Sequence, residues 1–505
     1  MVKSIKNQSL SKVALENSSY SLILNLILKF GGLIFTVLIA RILMPELFGI
    51  YSLALSVVTI VITFTDLGLD NTFLRYFSDA LGKRNKPQAR TYFKYLLKIK
   101  TLLIALFIII IVFSAKFISY SIYDKPLLFF ALIFSCLFIV MESLTSFFGG
   151  IIVATKNIKS LPILALLNQI MKILLSLLAI SLVKYEFKVP GLFIAFAISG
   201  GIYLLLLFLI AYRKDKDSLI GPTVDIDKKS VNNYLKFMAI ASLSLTFFGS
   251  IDILMLGKFV AVEYLGYYRA ALSLIITIAS LFSLSSIFLP VFTQISGKRF
   301  SRGFHKTLRY ILILSIPATA GIIFIAKYVI KAVYGNEYIL GTASIYFLSL
   351  LIITTPLIGL YSIIFQSKEK PKIVSSAVLT SLIVNVILNV LVIFLFRRNP
   401  LYMIAGVGLA TSLSRVFLLG LLVYRAKREF NFKVRGIGLR APIFATIIMS
   451  LFLVLFNHIV DMNIFFGAIE IILGVVIYFV VLILVKGIKK EDFELIKNAF
   501  KRKQV

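Results

Sequence analysis

Ten polar residues set within apolar runs carry the chemistry this sequence has to offer. Lys29, Lys172, Arg269 and Arg415 are basic, Asn25, Asn168 and Asn385 are amides, and Asp66, Glu142 and Asp252 are acids. A charge at bilayer depth costs something like 2.5–3.5 kcal/mol on insertion scales, so such residues are kept where they bind, pair or relay. The basic residues suit phosphate or pyrophosphate: a guanidinium forks onto two oxygens, and an ammonium acts as a point charge. With the amides they form a candidate substrate-binding set. The three acids are candidates for ion coupling. The competing reading is internal pairing, for example Arg269 with Asp252. Glu470, isolated near the C-terminus, reads as a helix-packing contact.

Spacing places these residues on stripes. Ser52, Ser56, Thr59, Thr63, Asp66 and Asp70 recur every three or four positions, which puts them on one helix face. Asn168, Lys172 and Ser176 do the same, as do Asn385 with Asn389 and Gly408 with Ser412 and Arg415. A polar stripe inside a bilayer must face protein or water, so a central cleft is expected. Other chemistries lack their residues. The sequence contains no GxxxxGK[ST], HExxH or CxxC, and Ser, His and Asp form no credible triad. His305 and His458 lie far apart, and Cys136 has no second cysteine to pair with. Asp225 and Asp227 sit among lysines and read as a solvated charge run. No enzyme activity, cofactor or metal is expected.

The elements that must position these stripes follow from composition. Of 505 residues, 60% are hydrophobic and 15% charged, with a mean hydropathy of +0.99. A water-soluble core cannot absorb so much apolar surface, so most of it faces lipid. A span needs roughly 20 apolar residues. Fourteen such segments are expected: 18–40, 47–70, 95–115, 127–152, 161–183, 190–211, 234–257, 264–292, 309–330, 343–366, 373–396, 402–424, 441–460 and 464–485. They are helices, since alternating ten-residue strands are missing. No cleavable signal peptide precedes the first. Sorted by side, the tails and even-to-odd connections hold 37 Lys and Arg and the opposite connections 10. That asymmetry puts both termini in the cytoplasm and accounts for the formal charge of +32 without nucleic acid.

The chain also repeats. Residues 40–56 and 257–273 share six of seventeen positions at an offset of 217: Glu46/Glu263, Gly49/Gly266, Tyr51/Tyr268, Ala54/Ala271, Leu55/Leu272 and Ser56/Ser273. Gly82-Lys83-Arg84 and Gly297-Lys298-Arg299 match at 215, and Asn168 and Asn385 at 217. Six helices therefore repeat as six with the same orientation, related by an axis along the membrane normal. The expected organisation is an N-lobe at 1–211, a cytoplasmic interlobe linker and hinge at 212–233, and a C-lobe at 234–428. An added helix pair at 429–485 and a basic tail at 486–505 follow.

The segments ARILMPELFGIYSLALSVV and DLGLDNTFLRYFS, with SIDILMLGKFVAVEYLGYYRAALSL, resemble signatures of prokaryotic polysaccharide transporters. These are the oligosaccharide-lipid flippases of the multidrug/oligosaccharidyl-lipid/polysaccharide superfamily. The resemblance implies two six-helix lobes around a central, often cationic cavity and alternating access. It implies a polyprenyl-(pyro)phosphate-linked oligosaccharide as substrate, moved from the cytoplasmic to the outer leaflet. Membrane lipids, and a glycan polymerase or glycosyltransferases, are the implied partners, and the cell membrane the implied location. An ion-coupled multidrug antiporter remains an alternative through Asp66, and a non-transporting scaffold for glycosyltransferases a second. In peptidoglycan-precursor flippases of the same plan the extra helix pair forms a lipid-tail groove. The corresponding expectation here is residues 441–485, walled by Leu451, Leu455, Phe465 and Phe466.

Overall fold

The structure, a computed structural model, describes residues 2–155, 160–283, 297–368, 370–430, 438–460 and 464–487. Side chains are described at Leu24 and from residue 27 onward, apart from 297, 298 and 464. In chain order the α-helices are α1 (Val2–Asp66), α2 (Leu69–Gly82), α3 (Lys86–Lys116), α4 (Leu127–Ala154), α5 (Leu161–Leu182) and α6 (Lys188–Asp215). Then come α7 (Lys228–Phe259), α8 (Val262–Leu281), α9 (Gly297–Tyr334), α10 (Thr342–Leu348) and α11 (Leu351–Ser367). The last four are α12 (Pro371–Leu395), α13 (Pro400–Phe430), α14 (Arg440–Ile459) and α15 (Ile464–Leu484).

The protein is an all-α, multi-pass membrane protein. Among the described residues twelve helices are long and apolar enough to cross a bilayer. The number is thirteen when 336–348 and 351–367, bent by 49°, form one span. The first of the twelve, Ile27–Gly82, holds two expected spans separated by a break at Met44. Each of the fourteen expected segments thus falls on helix, although 284–292 of the eighth lies outside the described residues.

Backbone chemistry sets the breaks. Met44 adopts φ 58° just before Pro45, whose ring removes an N–H from the helix ladder. Leu67 (φ 41°) and Gly68 (φ 79°) separate α1 from α2. The Asp66 carboxylate accepts the N–H groups of Gly68 and Asp70, each at 3.0 Å, and so caps the new helix. Asn85 caps α3 by accepting from Gln88 N at 3.1 Å, and Asp227 caps α7 by accepting from Ser230 N at 3.1 Å.

Two compact units divide the chain: residues 1–269 with 378–400, and 270–377 with 401–505. Residues 234–269 and 378–400, expected in the second lobe, therefore belong to the first unit. Lipid tails are as apolar as leucine, so helices in a bilayer associate through close backbone approach and polar bonds. In the first unit, α6 buries Gly191, Ala195 and Ser199 on one face, and Thr145 of α4 donates to the Gly200 carbonyl at 3.4 Å. The rings of Phe73, Phe77 and Phe147 stack with centroids 4.4–4.7 Å apart between α2 and α4.

The linker is not slack chain. Arg90, 6% exposed, donates to the carbonyls of Asp217 and Pro222. Lys94 donates to Gly221 O at 3.1 Å, and Thr91 exchanges bonds with the Val224 backbone. A free hinge across these residues is not what forms, because α3 supplies a partner for nearly every turn of the strap.

In the second unit, Ser412 donates to Phe347 O at 2.7 Å and Ser344 to Ile404 O at 3.2 Å, joining α13 to α10. Tyr478 of α15 donates to Ile313 O of α9 at 2.6 Å. Glu470 is fully buried and accepts from Asn457 Nδ2 at 2.7 Å, a bond between α14 and α15 as expected for a packing contact.

Candidate substrate cavity

The polar stripe of the second expected span faces inward. Ser52 and Ser56 are buried, and Ser56, Thr59 and Thr63 donate to carbonyls four residues back at 2.7–2.9 Å. Those bonds use each hydroxyl proton and leave oxygen lone pairs for neighbours. Thr63 takes a partner on α7, with its hydroxyl 2.9 Å from that of Thr246. Beside this contact lies a cavity of about 260 Å³, lined by Leu55, Ser56 and Thr59 of α1, Thr246, Gly249 and Ser250 of α7, and Arg269 of α8. Gly249 leaves room there, since nothing lies within 4 Å of where its Cβ would be. Arg269 is half-buried, within electrostatic reach of the buried Tyr51, and makes no ion pair among the described residues. A guanidinium among hydroxyls, with no carboxylate in the lining, matches an anionic group carrying hydroxyls.

Asp252 is not Arg269's partner. It is 4% exposed and accepts from Tyr268 Oη at 2.9 Å and from Asn389 Nδ2 at 2.8 Å. Asn389 Nδ2 also reaches Asn385 Oδ1 at 3.3 Å, while Asn389 Oδ1 is buried without a partner among the described residues. This knot ties α7 to α12 within the first unit. Asn385 thus sits beside a coupling candidate.

A second cluster surrounds α5. The Lys172 ammonium lies 4.1 Å from the Phe196 ring centroid and 4.9 Å from that of Phe35. Glu142 is within its electrostatic reach. One turn earlier Asn168 Oδ1 is buried without a partner among the described residues, and Gln169 Nε2 donates to Gly31 O at 2.8 Å. Lys29 is half-buried on α1 and Arg415 half-buried on α13 in the second unit. The side chain of Asn25 lies outside the described residues.

Asp66 has a partner that sequence reasoning missed. Lys100 of α3 is fully buried and bridges Asp66 at 3.0 Å and Asp70 at 2.5 Å. Its position inside the apolar run after Lys98 was the available signal; 34 residues separate it from Asp66, too far for any local pattern to pair them.

The second unit holds an apolar cavity of about 330 Å³ between α9, α14 and α15, whose walls include Leu314, Pro317, Met449, Leu453, Gly474 and Tyr478. The expected wall is corrected here. Leu451 and Leu455 are 60% and 52% exposed, because they lie on the face of α14 opposite Met449 and Leu453, and on α15 Phe465 and Phe466 are 67% and 37% exposed and outside the cavity lining. Four-residue steps from 449 reach 453, whereas 451 points away.

The fold is one shared with solved structures of membrane proteins. Over 92% of this chain and 97% of the other, the structure matches a lipid II flippase MurJ in an inward closed conformation, with a TM-score of 0.71 and 17% identity. It also matches an inward-facing multidrug resistance MATE family transporter of the MOP superfamily, with a TM-score of 0.63, 13% identity, and coverage of 81% and 98%. The chain belongs to the family described as polysaccharide biosynthesis protein, whose model matches residues 14–296, more than half its length. A curated relative, the probable low-salt glycan biosynthesis flippase Agl15 of Haloferax volcanii, is 28% identical over 195 residues. That match covers 37% of this chain and 39% of the relative.

Proposed function

We propose that this protein is a flippase that moves a polyprenyl-(pyro)phosphate-linked oligosaccharide from the cytoplasmic to the outer leaflet by alternating access. The observation that carries the reading is the Arg269 cavity, where a guanidinium and four hydroxyls meet without a carboxylate. Arg269 holds the (pyro)phosphate, the hydroxyls exchange hydrogen bonds with sugar, and Lys29, Lys172 and Asn168 of the same unit extend the head-group path. The apolar cavity of the second unit supports a place for the polyprenyl tail. No covalent step is assigned, and the protein acts as a transporter rather than an enzyme. Both termini are cytoplasmic and the membrane is the plasma membrane; the relative's printed role in glycan biosynthesis and the charge asymmetry support this.

An ion-coupled mode has its own support. Asp252, Asn385 and Asn389 gather buried oxygens, one of them without a partner among the described residues, which suits an exchangeable cation or proton. Glu142 beside Lys172 and Asp66 beside Lys100 are further coupling candidates.

The test is a leaflet assay on protein in proteoliposomes, with a fluorescent polyprenyl-pyrophosphate oligosaccharide scored for access to an external reagent. Protein-dependent movement is expected, faster under a sodium or proton gradient if coupling operates. No lipid movement, together with dye or cation efflux from the same vesicles, would replace the flippase with an antiporter.

A further inference from the structure

The two segments that share the 217-residue repeat touch each other, and they touch reciprocally. A Cβ on Gly49 would lie 1.8 Å from the Val262 carbonyl oxygen and 3.2 Å from Gly266 N. A Cβ on Gly266 would lie 2.3 Å from the Pro45 carbonyl oxygen and 3.1 Å from Pro45 Cα. Gly49 and Gly266 are repeat mates, and so are Pro45 and Val262, since each pair is 217 residues apart. Residue i of one segment thus meets residue j of the other, and the mate of i meets the mate of j, the signature of a contact across a two-fold axis. No residue but glycine fits, because carbon and carbonyl oxygen cannot approach within 3 Å.

The layer beneath this contact is closed. Tyr51, Ser52 and Leu53 on α1 and Leu265 and Tyr268 on α8 are each at most 5% exposed. Leu53 fills the space over Gly257, with its Cδ1 only 2.7 Å from where a Cβ would sit. One turn past Gly266 comes Arg269, and two turns past Gly49 comes Ser56, both in the polar cavity. At the tip, Tyr185 donates to Glu46 Oε2 at 2.6 Å.

We infer that Gly49 and Gly266 form the non-cytoplasmic gate of this protein: a backbone-to-backbone seal between the two repeats that must part for the cavity to open outward. The inference rests on the transport reading and topology proposed above. Two features fit a gate better than permanent packing. Among the described residues no hydrogen bond or ion pair joins the four repeat-related positions themselves, and beside them the repeats share the exposed bond from Lys258 to Ser121 O at 3.3 Å, so parting the seal breaks little. The reciprocity also lets the two segments separate symmetrically about the repeat axis.

The experiment uses the full chain with Cys136→Ser and a reporter thiol, Thr59→Cys, in the cavity. Adding Gly49→Ala or Gly266→Ala should raise labelling by a membrane-impermeant maleimide from the non-cytoplasmic side about tenfold, as the closed state loses its fit. Gly82→Ala, where nothing lies within 4 Å of the new Cβ, should not. A second arm keeps both glycines and Thr59, in the Cys136→Ser chain. A cleavable bis-maleimide joining Glu46→Cys to Glu263→Cys should stop lipid movement, and cleavage should restore it. If wild-type protein moves the lipid, while the alanine variants label like the parent and the cross-linked protein still transports, the gate is overturned. If wild-type protein moves no lipid but labelling rises in the glycine variants, the gate stands and the flippase reading falls.

Discussion

Arg269 lines a cavity whose other polar side chains are hydroxyls, two of which, Ser56 and Thr59, already donate to their own helix. A charge-assisted hydrogen bond contributes about 1.5–3 kcal/mol, so Arg269→Ala should slow lipid movement by about 10–100-fold. Arg269→Lys should recover only part of that, because an ammonium cannot grip two oxygens at once. The leaflet assay, normalised to protein in the membrane, reads both. Lys100 makes the opposite kind of claim. It is buried between Asp66 and Asp70, so removing it strands two carboxylates. Lys100→Ala should cost about 3 kcal/mol of stability, seen as a lower thermal midpoint in detergent, and adding Asp70→Asn should return part of the loss. An unchanged midpoint would mean that the triad is solvated and that Asp66 remains open as a coupling acid.

At the scale of elements, the strap between α6 and α7 changes how motion is distributed. Its carbonyls at Asp217, Gly221 and Pro222 are held by Arg90 and Lys94 of α3. Under the alternating access proposed above, movement is expected elsewhere, at the breaks at Met44 and at Leu67-Gly68, since helix hydrogen bonds are already interrupted there. Arg90→Ala should expose the Gly221–Pro222 turn and accelerate limited proteolysis there about tenfold, the loss of a charged hydrogen bond. Cleavage at the wild-type rate would show that Lys94 and Thr91 hold the strap without Arg90.

For the whole molecule, the asymmetry of 37 against 10 Lys and Arg predicts which side each loop occupies. Reporter tags at the two ends of the chain should both report the cytoplasm, and a thiol at position 46 should react with an impermeant reagent from outside intact cells. Labelling of that thiol only after permeabilisation would invert the topology and turn the glycine seal into a cytoplasmic one.

Much of this was legible from residue types alone. An apolar run of twenty residues has one stable answer in lipid, so helices and their approximate limits follow from composition, and the period of 3.6 tells which residues share a face. The repeat offset of 217 likewise identified Gly49 with Gly266 before any contact was known. Partnership was not legible. Whether Asp252 meets Arg269 or Asn389, whether Asp66 is free or bridged by Lys100, and whether Met449 or Leu451 walls the apolar cavity depend on how helices rotate against one another. That rotation is set by sub-ångström fits such as glycine against carbonyl, between residues hundreds of positions apart, and only the tertiary structure decides it.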